Sequence, residues 1–219
     1  MTSTARKPRY ERRAADDRRQ ALIEATIVSI RRHGHEGLSV RRIAAEAGVS
    51  IGLINHHFPN KNALIAESYR HFSRLLSEGF GTAVSRAAPD PRARLRAFFE
   101  ANFSRPNLDP QVLTAWIVFW SLFRQSPEIR KVHDEVGRGY GGLLRTLLSD
   151  FMRAHERSRF ELRLAEIGLT ALLDGLWLEW CLDRKNFRPA EAVALCVALT
   201  ENLLVQRAPG LSSTRVAGS

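Results

Sequence analysis

The chain has 219 residues, 44% of them hydrophobic, and its 33 lysines and arginines outnumber 23 acidic residues to give a net charge of +10. This length and apolar content suit a globular protein of one or two domains. Two cysteines are too few for a disulfide framework and lack zinc-ligand spacing. No stretch alternates polar and apolar residues as half-buried strands do, so the sequence predicts an all-α fold.

The ends and the apolar runs of the chain argue against export and against a membrane location. The first residues are charged and lack the apolar core of a signal peptide. The longest apolar run, 112–123, is too short to cross a bilayer. Cys181 and Cys196 lie in apolar helical segments, as free thiols of a reducing compartment do. We expect a soluble, cytoplasmic protein that has no membrane partner.

Positive charge is concentrated at the start of the chain. Residues 1–62 hold twelve basic and six acidic side chains, a net of +6. Residues 1–15 form a basic arm without a core-facing pattern, which we expect to be flexible. A first helix is predicted from about Asp16 to His33, ended by Gly34. A basic front end of this kind is typical of phosphate-binding proteins, although basic runs also simply solubilise a chain.

Residues 38–64 predict two short helices around a tight turn, followed by a long third helix. Ser39 can cap the first helix, and Gly48 can end it in a left-handed conformation. Ser50 can cap the second helix and Asn60 the third. Two short helices joined by a glycine turn describe a helix-turn-helix, whose second helix enters the major groove of DNA.

Candidate DNA contacts lie on the second short helix and around it. Asn55 can bond to a phosphate or a base edge, whereas Ile51 and Leu53 could touch thymine methyl groups. The candidate DNA-binding residues are Ser39, Arg41, Arg42, Ser50, Ile51, Gly52, Leu53, Asn55, His56, His57 and Lys61. Plain solvent exposure competes with this interpretation for the two arginines, and packing within the head competes for His57. The adjacent histidines are not a metal site, because neighbours on a helix point in different directions.

Beyond this motif, apolar residues recur at helical spacing in six segments. The predicted helices cover about 60–84, 91–103, 109–125, 127–152, 161–182 and the stretch from Pro189 onward. The proline-containing stretch 87–91 is the clearest linker. We expect a helix-turn-helix head at residues 16–62, a ligand-binding and dimerisation domain at 63–206, and a flexible tail at 207–219.

Aromatic residues and one acid suggest a ligand site in the second domain. Asp174 lies about 60° from Trp177 around its helix, so both can face one cavity. A carboxylate in an apolar segment is costly unless compensated, and a quaternary ammonium ion suits both a carboxylate and tryptophan faces. The candidate ligand-binding residues are Trp116, Phe119, Trp120, Phe123, Tyr140, Asp174, Trp177 and Trp180. The competing interpretation is that the aromatic stripe is core and that Asp174 forms a salt bridge or a cap at a dimer interface.

The last two predicted helices are apolar over more than one face, whereas a surface helix needs one apolar stripe. The surplus indicates that they pack on the core and on a second subunit. Catalysis is not expected, since the sequence holds no Ser/His/Asp order, no His-Glu-x-x-His and no phosphate loop. The glycines at 137–142 do not follow a strand, as a dinucleotide fingerprint requires. No cofactor and no metal are predicted.

The helix-turn-helix stretch resembles the signature of TetR-type transcriptional repressors. The resemblance is carried by Ile43-Ala44, Ala47-Gly48-Val49-Ser50, Gly52, Phe58, Lys61 and Leu64. Asn55 and His56 depart from the commonest form, in which a pair of tyrosines stands there. The resemblance implies a TetR-like fold, phosphate contacts from His56, His57 and Lys61, and a homodimer formed through the last two helices.

Several segments are similar to the choline-responsive, BetI-type branch of that family. They are Ala115-Trp116, Phe119-Trp120 and Leu173 to Leu178, together with Gly52, Ile54, His56, Phe58, Lys61-Asn62 and Leu64. The similarity runs from about residue 17 to 205 and implies a repressor that leaves a palindromic operator when choline or a related quaternary ammonium ion binds. A regulator that senses a lipophilic drug, an acyl group or another amine is the alternative. A ligand-independent DNA-packaging protein is a third possibility.

Overall fold

The computed structural model describes residues 9–154 and 159–205, and within these ranges the chain forms nine α-helices, one short 3-10 helix and no strand. This confirms the predicted all-α class. The α-helices are α1 (Arg9–His33), α2 (Val40–Ala47), α3 (Ile51–His57), α4 (Lys61–Arg86), α5 (Pro91–Asn102), α6 (Pro110–Leu122), α7 (Pro127–Ala154), α8 (Arg159–Leu182) and α9 (Pro189–Val205). The 3-10 helix, Gly34–Leu38, joins α1 to α2.

The start of α1 differs from the prediction. The helix begins at Arg9 rather than at Asp16, so the second half of the predicted flexible arm is helical. Its inward face carries Leu22, Thr26 and Ile30, all buried, and these residues recur every four positions. Residues 1–8 of the arm and the predicted tail at 207–219 lie outside the described residues.

Two compact units make up the chain. The first unit comprises Met1–Ser77 with Asp109–Arg138, and the second comprises Glu78–Leu108 with Gly139–Ser219. Helices α4 and α7 each contribute residues to both units. These units do not coincide with the domains predicted from sequence, because α6 and the start of α7 group with the head. The predicted domain boundary stays a prediction.

In the first unit, the 3-10 helix lies directly on α1. The Ser29 hydroxyl donates to the main-chain oxygen of Gly37 at 3.0 Å. A Cβ atom at Gly37 would stand 2.3 Å from the main-chain oxygen of Ser29. Only glycine permits this approach, so Gly37 sets how closely the helix-turn-helix packs on α1. Helix α6 packs on the same elements, and His35 reaches it through a 3.2 Å contact between Nε2 and the Ser121 hydroxyl.

In the second unit, α9 packs against both α5 and α8. Prolines and acidic caps define the helix starts. Pro91 opens α5, and the Asp90 carboxylate accepts from the Ala93 amide at 2.8 Å. Pro189 opens α9. The buried side chains of this unit include Leu95, Phe98, Phe99, Leu144, Leu147, Leu148, Phe151, Leu169, Leu173, Val193, Cys196 and Leu204. Among the described residues, no helix has the length and apolar content needed to cross a membrane.

Candidate functional site

The turn between α2 and α3 has the geometry of a helix-turn-helix. Gly48 adopts φ 64° and ψ 33°, the left-handed conformation expected of it. The Ser50 hydroxyl accepts from the Leu53 amide at 3.3 Å, which confirms its capping role. Asn60 Oδ1 accepts from the Ala63 amide at 2.8 Å and caps α4 as predicted. Ser39 occupies the N-cap position of α2 with extended backbone, but its side chain makes no capping hydrogen bond there, so that part of the prediction is wrong.

Helix α3 is anchored on one side and exposed on the other. Ile54 and Phe58 are buried and fix the helix to the head. The opposite side carries the candidate DNA contacts. The exposed candidates are Ser39, Arg41, Arg42, Ser50, Ile51, Gly52, Asn55, His56 and Lys61, whereas Leu53 and His57 are half-buried. Phosphate or base contacts are therefore sterically open to most of the predicted set.

Positive charge from α1 adds to this surface. The pKa of His57 lies below its ordinary value, because of burial and then because of the positive charges of His56, Arg18 and Arg19. The Arg19 guanidinium also lies 4.7 Å from the centre of the Phe58 ring. The sequence prediction omitted Arg18 as a candidate, since only the folded head brings α1 alongside α3.

The contacts of Arg42 and His57 bear on the competing interpretations of these two head residues. Arg42 pairs with Glu36 at 2.7 Å and remains exposed. Because an exposed ion pair contributes little, Arg42 can exchange Glu36 for a phosphate at low cost. His57 contacts the His56 ring edge-to-face at 5.3 Å between ring centres.

The candidate ligand residues of α6 lie in an aromatic cluster within the first unit. Its centre is Tyr69, whose ring centre lies 5.8 Å from that of Trp116, 4.9 Å from that of Phe119 and 5.6 Å from that of Phe123. Trp120 lies at the edge, 5.7 Å from Trp116, and is partly exposed. The structure thus brings together the three α6 candidates and Phe123, which directly follows α6, through Tyr69 of α4, a residue outside the predicted candidate set.

A hydrogen bond closes this aromatic cluster. The Tyr69 hydroxyl and His133 Nδ1 are 3.1 Å apart. Burial raises the pKa of Tyr69, and burial lowers the pKa of His133. Both groups are therefore neutral near pH 7, so the cluster offers aromatic faces and no net charge to a ligand.

The second unit holds a separate polar group around Asn102. The Tyr140 hydroxyl donates to Asn102 Oδ1 at 2.9 Å, and the Trp177 indole nitrogen donates to the Asn102 main-chain oxygen at 3.1 Å. Asn102 Nδ2 donates to the main-chain oxygen of Phe98 at 2.8 Å. Two of the predicted ligand residues are thus joined by Asn102, a residue outside the predicted candidate set.

Asp174 lies beside this polar group. Its charge contributes to the raised pKa of Tyr140, after burial. Asp174 is exposed in the isolated chain, yet partial desolvation by its surroundings raises its pKa to about 6. Trp180 differs from Trp177, because the guanidinium of Arg184 already lies 5.1 Å from the centre of its ring.

The predicted ligand residues therefore form two sets, one in each unit. Trp116, Phe119, Trp120 and Phe123 belong to the first set, and Tyr140, Asp174, Trp177 and Trp180 belong to the second. Only the second set contains a carboxylate. No group of three or more potential metal ligands occurs in the described part of the chain.

Two family models match the chain. The model described as "Bacterial regulatory proteins, tetR family" matches residues 22–67, and the model described as "BetI-type transcriptional repressor, C-terminal" matches residues 91–205. The HTH-type transcriptional regulator BetI of Yersinia pestis (strain Pestoides F) is 35% identical over 179 residues, which are 81% of this chain and 88% of that protein.

Two solved structures share the fold. A protein from Pseudomonas aeruginosa PAO1 is 43% identical, with a TM-score of 0.79, and the match covers 87% of this chain and 91% of that one. A protein from Saccharomonospora viridis, solved in complex with choline, has a TM-score of 0.74 and covers 88% of this chain and 100% of that one. Its 21% identity establishes likeness of fold alone.

Proposed function

This chain belongs to the TetR family of bacterial transcriptional regulators and has a BetI-type C-terminal domain, and from that premise we propose that it is a cytoplasmic repressor released from operator DNA by a small quaternary ammonium ion such as choline. Repression of transcription and the absence of an enzymatic role follow from the family. The operator, the effector and the oligomeric state are the proposed parts. The observation that carries the effector is the carboxylate of Asp174 beside Tyr140 and Trp177.

Helix α3 is the proposed reading element. It is anchored by Ile54 and Phe58, and its exposed side offers Asn55 to a base edge or a phosphate. His56, His57 and Lys61 are assigned to phosphates. A dimer presents two such helices, so the operator should be a near-palindrome with half-sites about one helical turn apart.

Exposed apolar side chains on α8 support a dimer. Leu164, Ile167, Leu178 and Leu182 recur at intervals of three, four or eleven residues, so they form one stripe along the helix. Leu182 is 73% exposed and Ile167 is 56% exposed in the isolated chain. On α9, Leu195 is also exposed. A stripe of this kind marks a surface that is covered in the functional protein, and we assign it to a second copy of this chain.

The proposed effector is defined by charge and shape. A trimethylammonium group carries a positive charge that Asp174 can balance, and it has no donor that requires a hydrogen-bonding partner. The faces of Tyr140 and Trp177 attract such a cation through their ring quadrupoles. The choline found in the Saccharomonospora viridis structure is a ligand of this class.

The effector releases DNA because it binds two arrangements of the protein with unequal affinity. The effector weakens DNA binding only if it prefers the arrangement that does not bind DNA. A coupling of about 1–3 kcal/mol corresponds to roughly 5- to 150-fold weaker operator binding. Helix α4 begins at Lys61, beside the DNA-reading helix, and contributes residues to both units, which makes it the proposed lever.

The test is a titration of the protein–operator complex with choline, followed by fluorescence anisotropy of labelled operator DNA. Choline should release the operator, while an acyl-CoA, a lipophilic cationic dye and an uncharged isostere of choline, 3,3-dimethylbutanol, should not. Release by the acyl-CoA or by the dye would instead support the alternative of a drug or acyl sensor. Equal binding to operator and to unrelated DNA would support a packaging protein and contradict the proposal.

A further inference from the structure

Asn102 is a buried polar residue at the end of α5, and all of its side-chain polar atoms are used. Its Oδ1 accepts from the Tyr140 hydroxyl at 2.9 Å, and its Nδ2 donates to the main-chain oxygen of Phe98 at 2.8 Å. Its main-chain oxygen accepts from the Trp177 indole nitrogen at 3.1 Å. One residue of α5 therefore holds a ring from α7 and a ring from α8.

The bond to Phe98 fixes the direction of the bond to Tyr140. The amide group of Asn102 is planar, so once Nδ2 donates along its own helix, Oδ1 must face away from it. Tyr140 then has a single buried acceptor in a set direction. A buried donor that lost this partner would remain unsatisfied, which costs more than an ordinary hydrogen bond contributes.

The fixed bonds decide which part of each ring is available to a ligand. Aromatic rings are negative on their faces and positive at their edges, and the hydroxyl and indole N–H groups are the most positive points of those edges. Both of these groups in Tyr140 and Trp177 point at Asn102. The Tyr140 ring also packs at 5.3 Å on Phe80 and at 5.4 Å on Phe98 between ring centres, so it has little freedom to turn.

We propose that Asn102 is a positioning residue of the effector site, which turns the positive edges of Tyr140 and Trp177 away from a bound cation so that their faces, together with Asp174, receive it. This inference rests on the proposed function, because it takes these rings to be walls of the cation site. Asn102 itself does not touch the ligand. Its role is to keep the O–H dipole of Tyr140 and the N–H dipole of Trp177 from opposing the ligand's positive charge.

The experiment measures the binding of choline and of tetramethylammonium to the full-length protein by calorimetry, in the parental protein and in three variants. Asn102→Leu removes both side-chain hydrogen bonds at similar volume and keeps the main-chain oxygen that accepts from Trp177. Tyr140→Phe removes the same hydroxyl contact from the other side and keeps the ring. Asn102→Leu should weaken binding of both cations by roughly tenfold, the effect of losing one well-formed hydrogen bond. Tyr140→Phe should lose less, because its ring stays packed on Phe80 and Phe98 and no hydroxyl dipole is left to oppose the cation.

Asn107→Leu is the matched control. Asn107 follows the same helix and its Nδ2 donates to the Ala101 main-chain oxygen at 2.6 Å, but neither Tyr140 nor Trp177 bonds to it. Its cation affinity should equal that of the parental protein. If Asn107→Leu lost as much cation affinity as Asn102→Leu, any change near the end of α5 would weaken binding. The role of Asn102 would then be overturned.

The double variant separates positioning from general loosening of the core. Asn102→Leu and Tyr140→Phe break one shared hydrogen bond. The double variant should therefore bind cations no more weakly than the single variant with the lower affinity. Losses that multiply would overturn the inference, as would parental affinity in Asn102→Leu. If the parental protein binds neither cation, both the proposed effector and the role of Asn102 are wrong. Multiplying losses, or parental affinity in Asn102→Leu, contradict the role of Asn102 but not the proposed effector.

Discussion

Arg31 of α1 and Asp109 at the start of α6 form an ion pair, with 3.4 Å between Arg31 Nη2 and Asp109 Oδ2. The other oxygen of the same carboxylate accepts from the Gln111 amide at 2.7 Å and caps α6. One side chain thus both begins α6 and attaches it to the helix that carries the helix-turn-helix. Each partner of the pair is about one-third exposed, so the cap should outweigh the ion pair.

The first prediction concerns these two roles of Asp109. Asp109→Ala removes the cap and the ion pair and should lower the free energy of unfolding by about 1–2 kcal/mol. Asp109→Ser keeps a capping oxygen and loses only the charge, so it should cost less than about 1 kcal/mol. Thermal unfolding measures both variants. Equal losses would show that the ion pair, rather than the cap, dominates.

The second prediction concerns Lys61, which is exposed at the first turn of α4 beside α3. Lys61→Ala should weaken binding to specific and unrelated DNA alike, and the slope of log K against log salt should fall by about one per subunit. Binding measured at several salt concentrations gives this slope. Lys185→Ala changes an equally exposed lysine between α8 and α9 and should leave the slope unaltered. A parental slope in Lys61→Ala would rule out a phosphate contact.

The third prediction compares two glycines of the head. At Gly48 a Cβ atom would meet nothing within 4 Å, so Gly48→Ala suffers only from the left-handed backbone and should cost about 1 kcal/mol. At Gly37 the same atom would overlap the backbone of Ser29, so Gly37→Ala should cost roughly 2–3 kcal/mol. Chemical denaturation gives both values. A smaller loss at Gly37 would mean that the 3-10 helix can move away from α1 easily.

The fourth prediction is a pH dependence of cation binding. Burial raises the pKa of Asp174 to about 6, and only its ionised form attracts a cation. Choline affinity should therefore be full above pH 7 and about tenfold weaker at pH 5. Calorimetry across this range measures it. Asp174→Asn should bind choline weakly at every pH, and Glu179→Gln, the same charge change on the same helix, should keep the parental profile.

The raised pKa of Asp174 also makes the stability of the fold depend on pH, in the opposite direction to cation binding. Because the folded protein binds the Asp174 proton more tightly than the unfolded chain, this group's stabilising contribution is present below about pH 4 and is lost as the pH rises through about 6. Without ligand, Asp174→Asn should therefore raise the melting temperature at pH 7.5 relative to the parental protein. A lowered melting temperature would show that the carboxylate has a stabilising partner in the dimer.

The fifth prediction concerns assembly. Leu182→Glu places a charge on the most exposed large hydrophobic side chain of α8 and should shift the protein from dimer to monomer in sedimentation velocity. Ile117→Glu is the control, since Ile117 is also exposed, at 44%, but lies on α6. A dimer that survives Leu182→Glu at micromolar concentration would place the interface elsewhere.

The sequence predicted local structure well because its signals are local. Pro91, Pro127 and Pro189 open helices at the predicted residues, since proline fits the first turn and has no amide to satisfy. Gly48 and Ser50 act through backbone conformation and a single hydrogen bond three residues away. The family signature lies in the same short stretch, which explains why the family could be recognised from sequence.

The helical spacing of apolar residues does not predict which distant segments contact each other. Asn102 was not among the predicted candidates, because its bonds to Tyr140 and Trp177 join residues 38 and 75 positions apart. The start of α1 was missed for another reason. Residues 9–15 carry no apolar stripe, so the pattern gave no signal for a helix there. The candidate ligand site itself, like the DNA contacts, stays a prediction.

The positions of the tryptophans give the protein two built-in optical reporters. Trp116 and Trp120 lie in the first unit and Trp177 and Trp180 in the second, and the chain has no others. Replacing either pair by phenylalanine would leave a protein whose tryptophan fluorescence comes from a single unit. Stopped-flow mixing of each such protein with DNA would then show in which unit the change begins and how long it takes to reach the other.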